Sequence, residues 1–273
     1  MSVLDGTRLV SDLSAAPSPM KVGIVTYNIA KDWDVPTIIK NCTEAKFDGV
    51  ELRTGHAHGV ETTLSPAQRA EVKKRFADSA VRIAQLGSTF EFHSTDQSVV
   101  RKNIDGCKEY IQLAQDVGSP AVKVRPNGLQ TKAGVPVEKT LEQIGRSLAE
   151  LGKSGADHGV EIRLEIHGPE TERVSYCARI LETANHPMVG ANWNSNQLDL
   201  QGGLEANFAL VAKKIRHVHM RDLYLEEYPW RKLVALLAGI NFSGYCCAEI
   251  PESKDPVRVM KYFRALFLAY QGL

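Results

Sequence analysis

Glu165, Asn194, His219 and Glu249 together supply two carboxylates, an amide oxygen and an imidazole, each closing a short apolar run. Oxygen-rich ligation with one imidazole suits a hard or borderline divalent ion such as Mn2+, Mg2+, Co2+ or Zn2+. In an extended strand residues i and i+2 share a face. Glu161, Arg163, Glu165 and His167 therefore oppose Ile162, Leu164 and Ile166, and His217, His219 and Arg221 oppose Val218 and Met220. Glu91 and His93, Lys123 and Arg125, and Glu51 and Arg53 oppose apolar neighbours in the same way, as does Glu249 against Ala248 and Ile250. So many ionisable groups on one parity are costly in a dry core unless they are paired or bind something. Glu161 and Arg163, deeper in their run, are expected to be a structural ion pair.

The elements that would carry these residues alternate strictly. Strands are predicted at 21–27, 48–53, 85–93, 121–125, 160–167, 188–194, 215–221 and 244–250. Helices are predicted at 36–46, 66–83, 99–117, 137–158, 173–185, 204–214, 229–238 and 256–270. In the helix over 137–158, Leu141, Ile144, Leu148 and Leu151 recur at helical spacing and Gly159 marks the stop. Eight β/α units in about 250 residues imply a closed (β/α)8 barrel, with the polar parity inside and the active site at the C-terminal mouth. No GxGxxG or GxxxxGK[ST] segment supports a nucleotide-binding alternative. The expected organisation is an N-terminal extension over 1–20 and a single barrel domain over 21–273.

Composition bounds the function. The 273 residues are 43% hydrophobic and 24% charged, and 33 Lys+Arg against 32 Asp+Glu leave a formal charge of +1. That balance argues against binding nucleic acid or anionic membrane through excess positive charge. The longest apolar run, 233–240, is about two turns and too short to span a bilayer. Residues 1–20 hold one basic residue, Arg8, and a weak apolar patch cut off by Asp12, which does not read as a secretory signal. Five cysteines without a CxxC suggest a reducing, cytoplasmic setting. The last helix, with Tyr262, Phe263, Leu266, Phe267 and Tyr270, either docks on its own barrel or offers a patch for homo-oligomer formation.

RLEIHG with Glu165, GANWNSNQ with Asn194, HVHMRD with His219 and CAEI with Glu249 resemble the sugar phosphate isomerase/epimerase family of xylose isomerase-like TIM barrels. The resemblance covers residues 21–272. It implies that Glu165, Asn194, His219 and Glu249 hold one catalytic divalent metal, with Mn2+ the first expectation, and that Glu165 and Glu249 double as proton-transfer groups. Two departures stand out: Asn194 replaces the family's usual Asp, and Gln197 stands where many relatives have His. An abasic-site endonuclease on the same barrel would need more His/Asp ligands and a basic face, and the chain offers neither.

Such a site acidifies the C–H beside a sugar carbonyl and stabilises an enediolate. Carboxylates on either side remove and return the proton, giving isomerisation or epimerisation of a sugar or keto-sugar. A leaving β-substituent would make the same chemistry a lyase or dehydratase, and a decayed site would leave a non-catalytic sugar- or metal-binding subunit. His93, Lys123, His167, Gln197, Arg221 and Glu51 are expected to contact substrate, with His56 and His58 closing over it. Trp193, on the helix-facing parity, is expected in the core.

Overall fold

The computed structural model describes residues 20–273, so the expected extension lies, Met20 apart, outside the described residues. Eight strands, β1 (Lys21–Val25), β2 (Gly49–Arg53), β3 (Arg82–Glu91), β4 (Ala121–Arg125), β5 (Glu161–Glu165), β6 (Val189–Trp193), β7 (Ile215–Met220) and β8 (Tyr245–Ala248), form a closed barrel. Every neighbouring pair is parallel, and β8 returns to β1 with Lys21 opposite Tyr245. The crossovers are α1 (Val35–Ala45), α2 (Pro66–Ala77), α3 (Gln97–Val117), α4 (Val137–His158), α5 (Val174–Ala184), α6 (Leu204–Val211), α7 (Trp230–Gly239) and α8 (Pro256–Gln271).

Local signals start these helices where they do. Asp34 caps α1 by accepting from the Thr37 amide at 2.9 Å, and Ser65 with Gln68 forms a reciprocal capping box on α2. The helix expected over 66–83 stops at Ala77. Beyond it Val81 and Ile83 are buried and Arg82 is exposed, a strand period, and β2 draws Arg82 and Ile83 into register with Gly49 and Val50. The apolar parity packs under the helices as expected. Val122, Val124, Ile162, Leu164 and Val218 are fully buried with Leu141, Ile144, Leu148 and Leu151 of α4.

Trp193 lies in this core and donates to Tyr228 Oη at 3.0 Å. On α8, Phe263 and Phe267 are buried against the barrel while Tyr262 remains exposed. All five cysteines are buried and free, and among the described residues no helix is long and apolar enough to cross a membrane.

Candidate active site

The barrel interior is a stack of paired polar groups. At its base Arg163 bonds Glu161 Oε2 at 2.8 Å, Gln85 Oε1 at 3.1 Å and the Ala84 carbonyl at 3.2 Å. The expected Glu161–Arg163 pair is therefore present. One layer higher, Glu51 Oε2 accepts from Gln85 Nε2 at 2.6 Å and from His219 Nε2 at 2.7 Å. Gly87 makes room for this carboxylate, because a Cβ there would stand 2.5 Å from Glu51 Oε1.

Above that layer the ends of β4 to β8 converge. His219 Nδ1 lies 3.1 Å from Asn194 Oδ1 and 3.2 Å from Glu165 Oε1. One ligand atom from each of Glu165, His219 and Glu249 lies within 4.8 Å of the others. Glu249 follows the last residue of β8, and its amide bonds the Met220 carbonyl at 2.8 Å, which extends the ladder and brings the side chain to the mouth. Asn194 follows β6, and its amide orientation is set from a distance. The Ile166 carbonyl can only accept, so Asn196 turns its Nδ2 there at 2.6 Å. Asn196 Oδ1 then accepts from Asn194 Nδ2 at 3.2 Å, which leaves the Asn194 oxygen facing His219.

This geometry demands positive charge between the donors. With Nε2–H given to Glu51, a neutral His219 would aim its Nδ1 lone pair at two oxygens. Burial opposes a charged ring, but Glu51 and then Glu165 override it and raise His219 to about 10. Burial likewise opposes ionisation of Glu165, and Lys123 with His219 outweighs it, holding that carboxyl well below its usual range. Two carboxylates, an amide oxygen and, once the His219 proton leaves, an imidazole nitrogen converge on one point and fit a divalent ion. A second grouping, Glu51, His217 and His219, lies beneath. There His219 Nε2 is already bonded to Glu51, and Arg163 approaches His217 at 3.5 Å. That grouping reads as the support of the first.

The other expected residues divide. Lys123 is buried, its ammonium 2.7 Å from Glu165 Oε2. His167 stands two residues beyond Glu165 on the same parity, and its Nδ1 meets Asn127 Oδ1 at 2.7 Å. Burial, with Lys123 and Arg125 nearby, lowers the His167 imidazole despite Glu165. His93 is half-buried two residues past β3, with its Nδ1 3.9 Å from Glu91 Oε2. Arg221 is half-exposed, 3.6 Å from Glu249 Oε2, beside a cavity of about 190 Å3 lined by Tyr27, Asn28, Asp222, Leu225 and Ile250.

Placement engages three further expected residues elsewhere. Glu51 is fully enclosed under His219 and bonded to its imidazole. Strand parity puts it inside, but its depth follows from its being the third residue of β2. Gln197 is exposed and its amide bonds the Glu227 carbonyl at 3.3 Å. His58 does not close over the mouth: it accepts from the Val60 amide and donates to the Arg53 carbonyl, bracing its own loop. His56 is bonded to Thr26 Oγ1, just past β1, at 2.8 Å and stacked beside Tyr27. Sequence reasoning missed Gln85, Asn127 and Asn196. Gln85 shares the inward parity of β3, whereas Asn127 and Asn196 lie on loops where spacing carries no face.

The model of the xylose isomerase-like TIM barrel family matches residues 39–266. The chain belongs to that family. Solved structures share the fold of this xylose isomerase-like barrel at low identity. An IolI protein with a binding zinc atom is 17% identical, with a TM-score of 0.75 over 92% of this chain and 99% of that one. The 3-keto-D-glucoside 4-epimerase YcjR from E. coli is 15% identical, with a TM-score of 0.74 over 92% and 99%. An L-ribulose 3-epimerase is 16% identical, with a TM-score of 0.76 over 93% and 95%. No curated protein matches the chain.

Proposed function

We propose that the chain is a divalent-metal-dependent isomerase or epimerase acting on a sugar or keto-sugar through an enediolate. The observation that carries this reading is the convergence of Glu165 Oε1, Asn194 Oδ1 and His219 Nδ1, with Glu249 beside them, around a position where a divalent ion could replace the His219 proton. The sugar epimerases among the structures of like fold, and the zinc of the IolI protein, support it.

A divalent ion held by Glu165, Asn194, His219 and Glu249 would polarise a ketose carbonyl and its neighbouring hydroxyl, lowering the cost of removing the C–H proton between them. The chain's own residues do the rest. Glu249, whose Oε2 lies 3.6 Å from Arg221, would take the proton. Glu165 has both oxygens engaged, by Lys123 and by His219, and the Lys123 ammonium would pass it the proton it gives back, with solvent resetting Lys123 and Glu249 afterwards. Delivery to the same carbon from the face opposite Glu249 gives epimerisation, and delivery to the neighbouring carbon gives isomerisation. Arg221 and the adjoining cavity would hold the remainder of the substrate.

The test is solvent-deuterium incorporation into a panel of ketoses and keto-glycosides by the Mn2+-loaded chain. Glu165→Gln and Glu249→Gln should each stay folded and lose exchange by at least about 100-fold at saturating metal, the scale of a general acid or base. Full exchange in either variant removes that residue from proton transfer. No exchange with any member of the panel, in a metal-loaded protein, ends the reading.

A further inference from the structure

Beside the ion site the loops after β4 and β5 are tied together through one amide. Glu91 Oε1 accepts from Asn127 Nδ2 at 2.6 Å and is also bonded by Arg125. A carboxylate only accepts, so Asn127 must turn its NH2 to Glu91 and its oxygen to His167. That oxygen lies 2.7 Å from His167 Nδ1, so Nδ1 carries the hydrogen. His167 Nε2 has no hydrogen-bond partner among the described residues, and it stands on the inward parity two residues past Glu165.

The backbone is shaped around this contact. Asn127 has φ 37°, a conformation that Asn tolerates better than most residues. Gly168 has φ 93°, and a Cβ there would stand 2.5 Å from Asn127 Oδ1. Thr171 staples the two loops, donating to the His167 carbonyl at 2.8 Å and accepting from the Gly128 amide at 3.1 Å. The cations of this wall are already paired, Lys123 with Glu165 and Arg125 with Glu91.

We propose that Asn127 is a positioning residue that fixes His167 as the Nδ1–H tautomer, so that Nε2 faces the mouth as a hydrogen-bond acceptor. A substrate hydroxyl, which can donate, complements such an atom. The wall around His167 therefore offers an acceptor to a hydroxyl-bearing segment of substrate. The identity of the occupant as a sugar rests on the function proposed above; the tautomer does not.

The experiment is two-bond 1H–15N correlation spectroscopy of the full chain with 15N-labelled histidine, with and without Zn2+. His167 should show a single Nδ1–H form with Nε2 unprotonated. Asn127→Gly, which keeps the backbone conformation accessible, should lose that form in favour of the Nε2–H tautomer or a mixture. Gly168→Ala, which drives the Asn127 side chain away, should reproduce the loss. A merely structural role for Asn127 would lower stability without moving the tautomer. Nε2 protonated in the unmodified chain, or a tautomer unchanged in Asn127→Gly, overturns the proposal. Neither result depends on turnover, so failed deuterium exchange would sink the isomerase reading and leave these spectra to decide this one.

Discussion

His219 and Glu51, 168 residues apart in the chain, meet across the barrel at 2.7 Å from Nε2 to Oε2, and both side chains are enclosed. The contact orients the imidazole with Nδ1 toward the mouth and raises its basicity, as carboxylates behind metal-binding histidines do. Glu51→Gln keeps an acceptor of similar shape but removes the charge. Divalent-metal affinity should fall about 10- to 100-fold without loss of the fold. Calorimetric titration with Mn2+ checks this, and an unchanged affinity would mean that the ring is oriented by His217 and packing alone.

Metal and proton compete for the same atom. His219 is held at about 10, so at neutral pH a cation binding at Nδ1 must displace a proton. Uptake should release about one proton per ion, and affinity should rise with pH until His219 is deprotonated. The check is titration in two buffers of different ionisation enthalpy. A heat independent of buffer would place the ion away from Nδ1.

Asn194 leaves the site with two anionic ligands where the resemblance implies three. Asn194→Asp should tighten metal binding and Asn194→Ala should loosen it. Asn196→Ala should also loosen it, because Asn196 holds the Asn194 NH2 and so helps to turn its oxygen inward. Equal affinity in all of these variants would leave Glu165, His219 and Glu249 as the complete ligand set.

Strand alternation made most of this readable in the sequence. Period-2 patterning placed Glu165, His219 and Glu249 on one interior, and eight β/α units told which ends they share. Depth was not readable. Glu51 and His93 have the same parity, but Glu51 is sealed beneath the site and His93 stands two residues past β3, because where each strand begins and ends is set by its neighbours' register. Loop residues were the other blind spot. Asn127, Asn196 and Gln197 lie beyond their strands, where no periodicity fixes a face and only backbone acceptors such as the Ile166 carbonyl decide the outcome.

Asp199 carries the clearest pH dependence. It is buried at the end of the turn that holds Asn196, accepting from Tyr228 Oη at 2.9 Å and the Asn196 amide at 2.8 Å, while Oδ1 finds no partner among the described residues. Burial raises its carboxyl to about 7, against the opposing hydrogen bond from Tyr228. Below about pH 4 folded and unfolded chains both hold the proton, and Asp199 has no effect. Between about 4 and 7 the unfolded chain releases it and the folded chain keeps it, so stability falls with rising pH by roughly 1.4 kcal/mol per unit. Above about 7 the penalty is complete. Asn cannot ionise, so Asp199→Asn should gain on the unmodified chain by roughly 2 to 3 kcal/mol between pH 5 and pH 8. Urea unfolding of both proteins at the two pH values measures that gap. A gap that stays constant would mean that Asp199 is ionised in the fold at pH 5, with its charge balanced by groups other than Tyr228.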